Sequence, residues 1–207
     1  MTRWRMALPC LLALAAGCTL IKRDQQALAI YDLRPAGLAI APGPASRWQL
    51  LIDEPAALEP VAGARIATRT PEGALGVLAG GRWRGTAPRV LQSLLLDAFR
   101  QSGRIVGVSQ LGSGVPGDCT LVSTLRDFQY EQRSRAVRIS LAASLVCGQA
   151  NGIVASRTFA GDTAVKGSGI TAVVDTFQQG MAALAPEIVD WALAAGDAAI
   201  TRSAAPR

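Results

Sequence analysis

The chain has 207 residues, with 21 Lys and Arg against 15 Asp and Glu, no histidine, and a formal net charge of +6 at pH 7. The missing imidazole excludes His-ligated metals, Ser-His and Cys-His nucleophile pairs, and the side chain best suited to proton transfer near neutrality. The charge is mild and no basic run of the nucleic-acid type occurs, so no nucleic-acid partner is expected.

The N-terminus opens with Arg3 and Arg5, followed by an apolar run, Met6 to Ala16, of 11 residues. A hydrocarbon core of about 30 Å needs roughly 20 residues to cross, so this run is an export signal and not a span. It closes on Leu14-Ala15-Ala16-Gly17-Cys18, which resembles the bacterial lipoprotein signal, with the leucine one place further from the cysteine than usual. An ordinary cleaved signal with an incidental cysteine is the alternative. The resemblance implies cleavage between Gly17 and Cys18, a diacylglyceryl thioether on Cys18 and acylation of the new amine. Two or three chains anchor durably where one anchors marginally. Thr19 stands where an Asp favours inner-membrane retention, which leans towards the periplasmic face of the outer membrane. Removing residues 1–17 leaves 190 residues, 19 of them basic and 15 acidic, a balance of +4. That suits one domain with a proper core.

Residues 18–26 read as a tether; Thr19 to Gln26 reaches at most about 28 Å. Residues 27–197 form the folded domain. Ala27 to Leu33 reads as a strand, Arg34 to Ser46 as a loop on its Pro and Gly content, and Arg47 to Ile52 as a second strand. Pro55 and Pro60 bracket a turn or short helical piece. Ala64–Arg69 and Ala74–Ala79 are two short strands joined at Thr70-Pro71-Glu72-Gly73. Gly80 to Gly85 then leads into a helix with Thr86 as N-cap and Pro88 in the first turn. Val90, Leu91, Leu94, Leu95, Ala98 and Phe99 make its apolar stripe, Arg89, Gln92, Ser93, Arg100 and Gln101 its polar side, and Gly103 its end. Ile105–Val108 is a strand and Leu111–Asp118 a glycine-rich loop.

Cys119–Tyr130 and Val137–Cys147 alternate as half-buried strands. A hairpin turning near Arg133 opposes residues whose numbers add to 266: Leu125 with Leu141, Leu121 with Leu145, Cys119 with Cys147. Opposed cysteines at non-hydrogen-bonded positions can pair, and an oxidising compartment favours it; two buried free thiols in another register is the alternative. Gly152–Ala160 is a further strand and Gly161–Gly169 a loop. The last helix starts near Ile170, with Val173, Val174, Phe177, Met181, Leu184, Ile188 and Trp191 as its stripe. Pro186 is expected to kink it or to begin a second segment. Residues 198–207 read as a flexible tail. Neighbouring antiparallel strands with segregated helices give an α+β class: a mixed, largely antiparallel sheet with two main amphipathic helices on one face.

Four segments carry a wider resemblance. They are Tyr31-Asp32-Leu33-Arg34-Pro35; Trp48 to Ile52 through Pro55 to Arg65-Ile66; Arg82-Trp83 into Ala87 to Gln92 and Phe99 to Gly103; and Val173 to Phe177 through Ile188 to Trp191. In order and spacing they resemble the ABC-type transport auxiliary lipoproteins, the group that includes the paraquat-inducible lipoprotein. Members more often have an acidic residue soon after the equivalent of Trp83; here Arg84 and Gly85 stand there. The resemblance implies a non-catalytic, cofactor-free, lipid-anchored partner of an ABC permease and ATPase and of an MCE-type substrate-binding protein that moves lipid between inner and outer membranes. It also implies a homo-oligomeric ring that receives the MCE tube at the outer membrane, with a phospholipid path.

Arg82, Trp83, Arg84 and Arg89 form a basic, aromatic cluster suited to partner docking, since Arg and aromatics are favoured in hot spots. The alternative puts Trp83 in the core and the arginines in solvent. Two other roles fit the residues: an outer-membrane structural or assembly lipoprotein, and a periplasmic hydrolase, for which no nucleophile-elbow pattern is found.

Overall fold

The computed structural model describes residues 28–34, 37–148 and 152–204. The signal, the tether and the lipidation residues Gly17 and Cys18 lie outside the described residues. Eight strands and two helices follow in the order β1 (Ala29–Tyr31), β2 (Ser46–Ile52), β3 (Arg65–Arg69), β4 (Leu75–Trp83), α1 (Ala87–Ser102), β5 (Ile105–Gln110), β6 (Cys119–Glu131), β7 (Ala136–Cys147), β8 (Gly152–Ala164) and α2 (Gly169–Ala204).

All eight strands join one sheet. Its spine is the β6–β7–β8 meander, whose two antiparallel ladders each hold twelve register pairs. The other edge of β6 is shared. Its N-terminal end pairs in parallel with β2, which carries β5; its C-terminal end pairs in parallel with β3, which carries β4 and then β1. The sheet therefore forks into a β2–β5 prong and a β3–β4–β1 prong, with the 53–64 connection between them touching β6 through the bridge Ala56–Thr124. Both helices cover one face, α1 over β5 and β2, and α2 over β8, β7 and parts of β2, β4 and β6. The α+β class read from the sequence is the observed one.

The hairpin register has the expected form from Cys119 to Leu125, where partner numbers add to 266, and Cys119 is disulfide-bonded to Cys147. Beyond Leu125 one extra residue, Arg126, bulges out, and the partner numbers then add to 267. A bulge exchanges the faces of the residues that follow it. Here it turns Phe128 into the core and sends Gln129 and Glu131 to the opposite face, where Gln129 Nε2 donates to Glu131 Oε1 at 2.8 Å. On that helix-free face Arg138 of β7 donates two hydrogen bonds to Asp162 of β8, at 2.9 and 2.8 Å, and this bonding holds the Asp162 carboxyl below the usual carboxylate range.

Several boundaries depart from expectation. β1 is shorter, because Leu33 leaves the strand to enter the core. β4 continues through Gly80-Gly81 to Trp83, and β8 continues to Ala164. In both, pairing with a neighbour outweighs the turn propensity of glycine. α2 runs unbroken through Pro186 and begins no second segment there. Proline disfavours a helix interior by about 3 kcal/mol, but Leu184, Ala185, Ile188 and Val189 around it are buried, and each large apolar side chain contributes about 1.5–3 kcal/mol on burial. Residues 198–204, expected in the tail, extend the same helix, and Ala199 is buried. α1 has the capping read from its sequence: Arg89 N–H donates to Thr86 Oγ1, and Gly103 is left-handed at φ 61°.

α2 is fastened to β2 by polar contacts. Trp48 Nε1 donates to Asp197 Oδ1 at 2.8 Å and Ser46 Oγ donates to Asp197 Oδ2 at 3.0 Å. The indole lies so close to the helix that a Cβ at Gly196 would overlap Trp48 Cζ2. Because Trp48 is buried and hydrogen-bonded, it cannot swing aside. Gly196→Ala is expected to destabilise the protein by about 1–3 kcal/mol despite alanine's better helix propensity. Urea unfolding measures this; an unchanged or raised midpoint would show that Trp48 is free to move.

Candidate functional site

The basic, aromatic cluster sits where β4 hands over to α1, and the structure divides it. Trp83 points inward and is fully buried. Its ring lies 5.7 Å from Phe128 and 5.2 Å from Phe177, the latter edge-on, so it joins β4, β6 and α2. Trp83 therefore carries no surface role, which corrects its place among the docking residues. Arg82, its neighbour on the strand, points to the helix-free face; its Nη1 donates to Trp83 O at 3.4 Å, and it pairs in register with Arg65 and Ile30.

Arg84 and Arg89 come together on one cleft. Arg84 leaves the end of β4, where its N–H donates to Tyr31 O at 2.8 Å and its Nη1 to Asp32 Oδ2 at 3.1 Å. Asp32 also accepts from Arg34 at 2.6 Å. Here the arginine follows β4 and the acid follows β1. Arg89 stands in the first turn of α1 and donates from Nε to Glu54 Oε2 at 3.2 Å. The cleft between them has a volume of 620 Å³ and is walled on the other side by Asp53, Glu54 and Gln110. Its floor holds Gln92, which is buried, donates to Ile52 O at 2.9 Å, and accepts from Gln110 Nε2.

Gln92 was expected on the polar, outward side of α1. It turns inward to donate to the Ile52 carbonyl at the end of β2, which also accepts from Leu111 N–H at 3.0 Å. Asp53, Glu54 and Gln110 carry no local signal of their role, since each meets α1 only through the tertiary fold. The ion pairs of the cleft are exposed: 73% and 42% for the Arg89 and Glu54 side chains, 52% and 31% for Arg84 and Asp32. Such pairs contribute only about 0–1 kcal/mol, so their partners are exchangeable. The cleft offers two guanidinium groups, two carboxylates and two amides, a set that recognises charged, hydrogen-bonding surfaces. Among the described residues no three Cys, Asp or Glu side chains converge as metal ligands, and no helix is long and apolar enough to cross a membrane.

Three of the four segments that carry the resemblance meet at this corner. Tyr31 pairs in register with Trp83, Asp32 binds Arg84, and Trp83 packs on Phe177. Their spacing therefore reports architecture first.

Comparison with known proteins agrees. No curated protein matches the chain. Among solved structures, a Xanthomonas campestris protein of the DUF330 family is 28% identical, with a TM-score of 0.76 over 84% of this chain and 99% of that one. An uncharacterised protein is 21% identical, with a TM-score of 0.62 over 79% and 97% of the two chains. The family model for the ABC-type transport auxiliary lipoprotein component matches residues 31–189, from the Tyr31 that pairs with Trp83 to the buried Val189 of α2, and the chain belongs to that family.

Proposed function

We propose that this protein is a non-catalytic, lipid-anchored component of an ABC/MCE-type intermembrane lipid transport system, held by Cys18 at the periplasmic face of the outer membrane and docking the MCE protein there. Membership of a transport auxiliary family supports the transport role. The docking role rests on one observation: Arg84 and Arg89 flank a single open cleft and are held only by exposed, exchangeable ion pairs. An acidic segment of the MCE partner would take over the guanidinium groups that Asp32 and Glu54 now hold.

The test is pull-down with crosslinking from native envelope. The double variant Arg84→Glu/Arg89→Glu is expected to recover at least ten-fold less MCE protein, a loss of about 1.4 kcal/mol or more. It should unfold within about 1–2 kcal/mol of the parent, because exposed pairs contribute little to stability. Full recovery of the MCE protein with this variant would remove the docking role from the cleft. Recovery of neither permease, ATPase nor MCE protein with the parent would favour the structural or assembly role.

A further inference from the structure

Exposed apolar side chains scattered singly are ordinary; a cluster is not. Among the described residues ten large apolar side chains stand exposed, and five of them lie on or beside β1, β4 and the 53–64 connection: Leu28 at 40%, Ile30 at 60%, Leu58 at 85%, Leu75 at 48% and Val77 at 43%. Leu28 and Ile30 open the described chain at β1, on the sheet edge next to β4. Leu75 and Val77 lie on β4, and Leu58 stands at the tip of the 53–64 connection. Leu58 and Leu75 face each other across a largely apolar groove of 430 Å³, with Val61 and Arg126 on its walls. Ile30 stands in register with Arg82, the residue that points away from the buried Trp83.

The same corner is basic. Arg65, Arg82 and Arg126 make no ion pair among the described residues. Arg133 donates to Pro71 O at the β3–β4 turn. Glu59, Glu72 and Asp127 stand against these four. Apolar tips ringed by arginines suit the headgroup boundary of an anionic bilayer.

Chain length points to the same occupant. Nine residues, 19–27, separate Cys18 from Leu28, and the ten Cα–Cα steps reach at most about 35 Å. β1 is thus the part of the fold that an acylated Cys18 holds closest to lipid.

We propose that the β1–β4 corner, with Leu58, Leu75 and Ile30 inward and Arg82 and Arg126 around them, rests on the surface of the anchoring bilayer. This rests on the reading of Cys18 as lipidated. It gives Arg82 a lipid-facing role, separate from the cleft of Arg84 and Arg89, and leaves that cleft turned towards a partner.

The test uses the full, natively processed lipoprotein in vesicles of phosphatidylethanolamine and phosphatidylglycerol with brominated acyl chains. A fluorescent label on Ile30→Cys, Leu58→Cys or Leu75→Cys is expected to be quenched at least two-fold. The same label on Gln179→Cys, exposed on α2, should not be quenched. Arg82→Glu with Arg126→Glu should reduce quenching at position 58 at least two-fold. Protein that stays with the vesicles but is unquenched at all three positions overturns the proposal, and so does crosslinking between copies at position 58, which would make the corner a self-interface. Protein that does not sediment with the vesicles overturns the anchor itself, a separate failure that takes this inference with it.

Discussion

Trp83→Ala is expected to lower folding stability by about 3–5 kcal/mol, the range for emptying a large aromatic site that cannot collapse. The site is unusually committed. Trp83 is fully buried, and Phe128 and Phe177, which it touches, are also 4.5 Å from each other, so the three rings form a closed set. They come from β4, β6 and α2, and no one element can move to fill the space without dragging a strand or a 36-residue helix with it. The indole N–H has no hydrogen-bond partner among the described residues. Trp83→Phe therefore forfeits area and no hydrogen bond, and should lose less than about half as much. Urea unfolding of the two variants gives the comparison. The pair also separates core from the proposed docking role: Trp83→Phe should still recover the MCE protein proposed as partner at the parent's level. A Trp83→Phe protein with parental stability that fails to bind would return Trp83 to the interface.

Trp83 also shows what the chain discloses locally and what it does not. Its sequence neighbours are arginines and glycines, a surface context, and Gly80-Gly81 ahead of it suggests a loop. Only pairing with β1 and β3 makes those residues a strand and sends alternate side chains inward. The long β6–β7 hairpin was legible because two alternating runs of similar length joined by a short polar turn permit few registers. Its bulge at Arg126 was not, since the need to bring Phe128 to the core arises from Trp83 and Phe177, distant in sequence. α1 was legible because cap, proline and glycine each act within a turn. α2 beyond Pro186 was not, because burial against the sheet overrides the local cost of proline. The candidate cleft divides in the same way: Arg84 and Arg89 announce themselves, whereas Asp32 and Glu54 become their partners only through the fold.

Removing the Cys119–Cys147 disulfide is expected to destabilise the protein by roughly 3–4 kcal/mol, the loop-entropy value for cysteines 28 residues apart. The loss should not be spread evenly. β6 meets the β2–β5 prong only through Leu50–Ile52 beside Cys119–Leu121, three register pairs at the end of the hairpin that the disulfide closes. The β3–β4–β1 prong joins at the far end of β6, next to the hairpin turn, where the chain itself ties β6 to β7. In Cys119→Ala/Cys147→Ala the open end of the hairpin frays first, and amides of β2 and β5 should exchange with solvent earlier than those of β3 and β4. Native-state hydrogen exchange measures the order, and urea unfolding measures the total. Dithiothreitol should lower the parent by the same amount and leave the double variant unmoved. A parent indifferent to the reductant would mean that the two thiols are free, and that the hairpin end is held by Leu121, Leu145 and the packing of Leu50 alone.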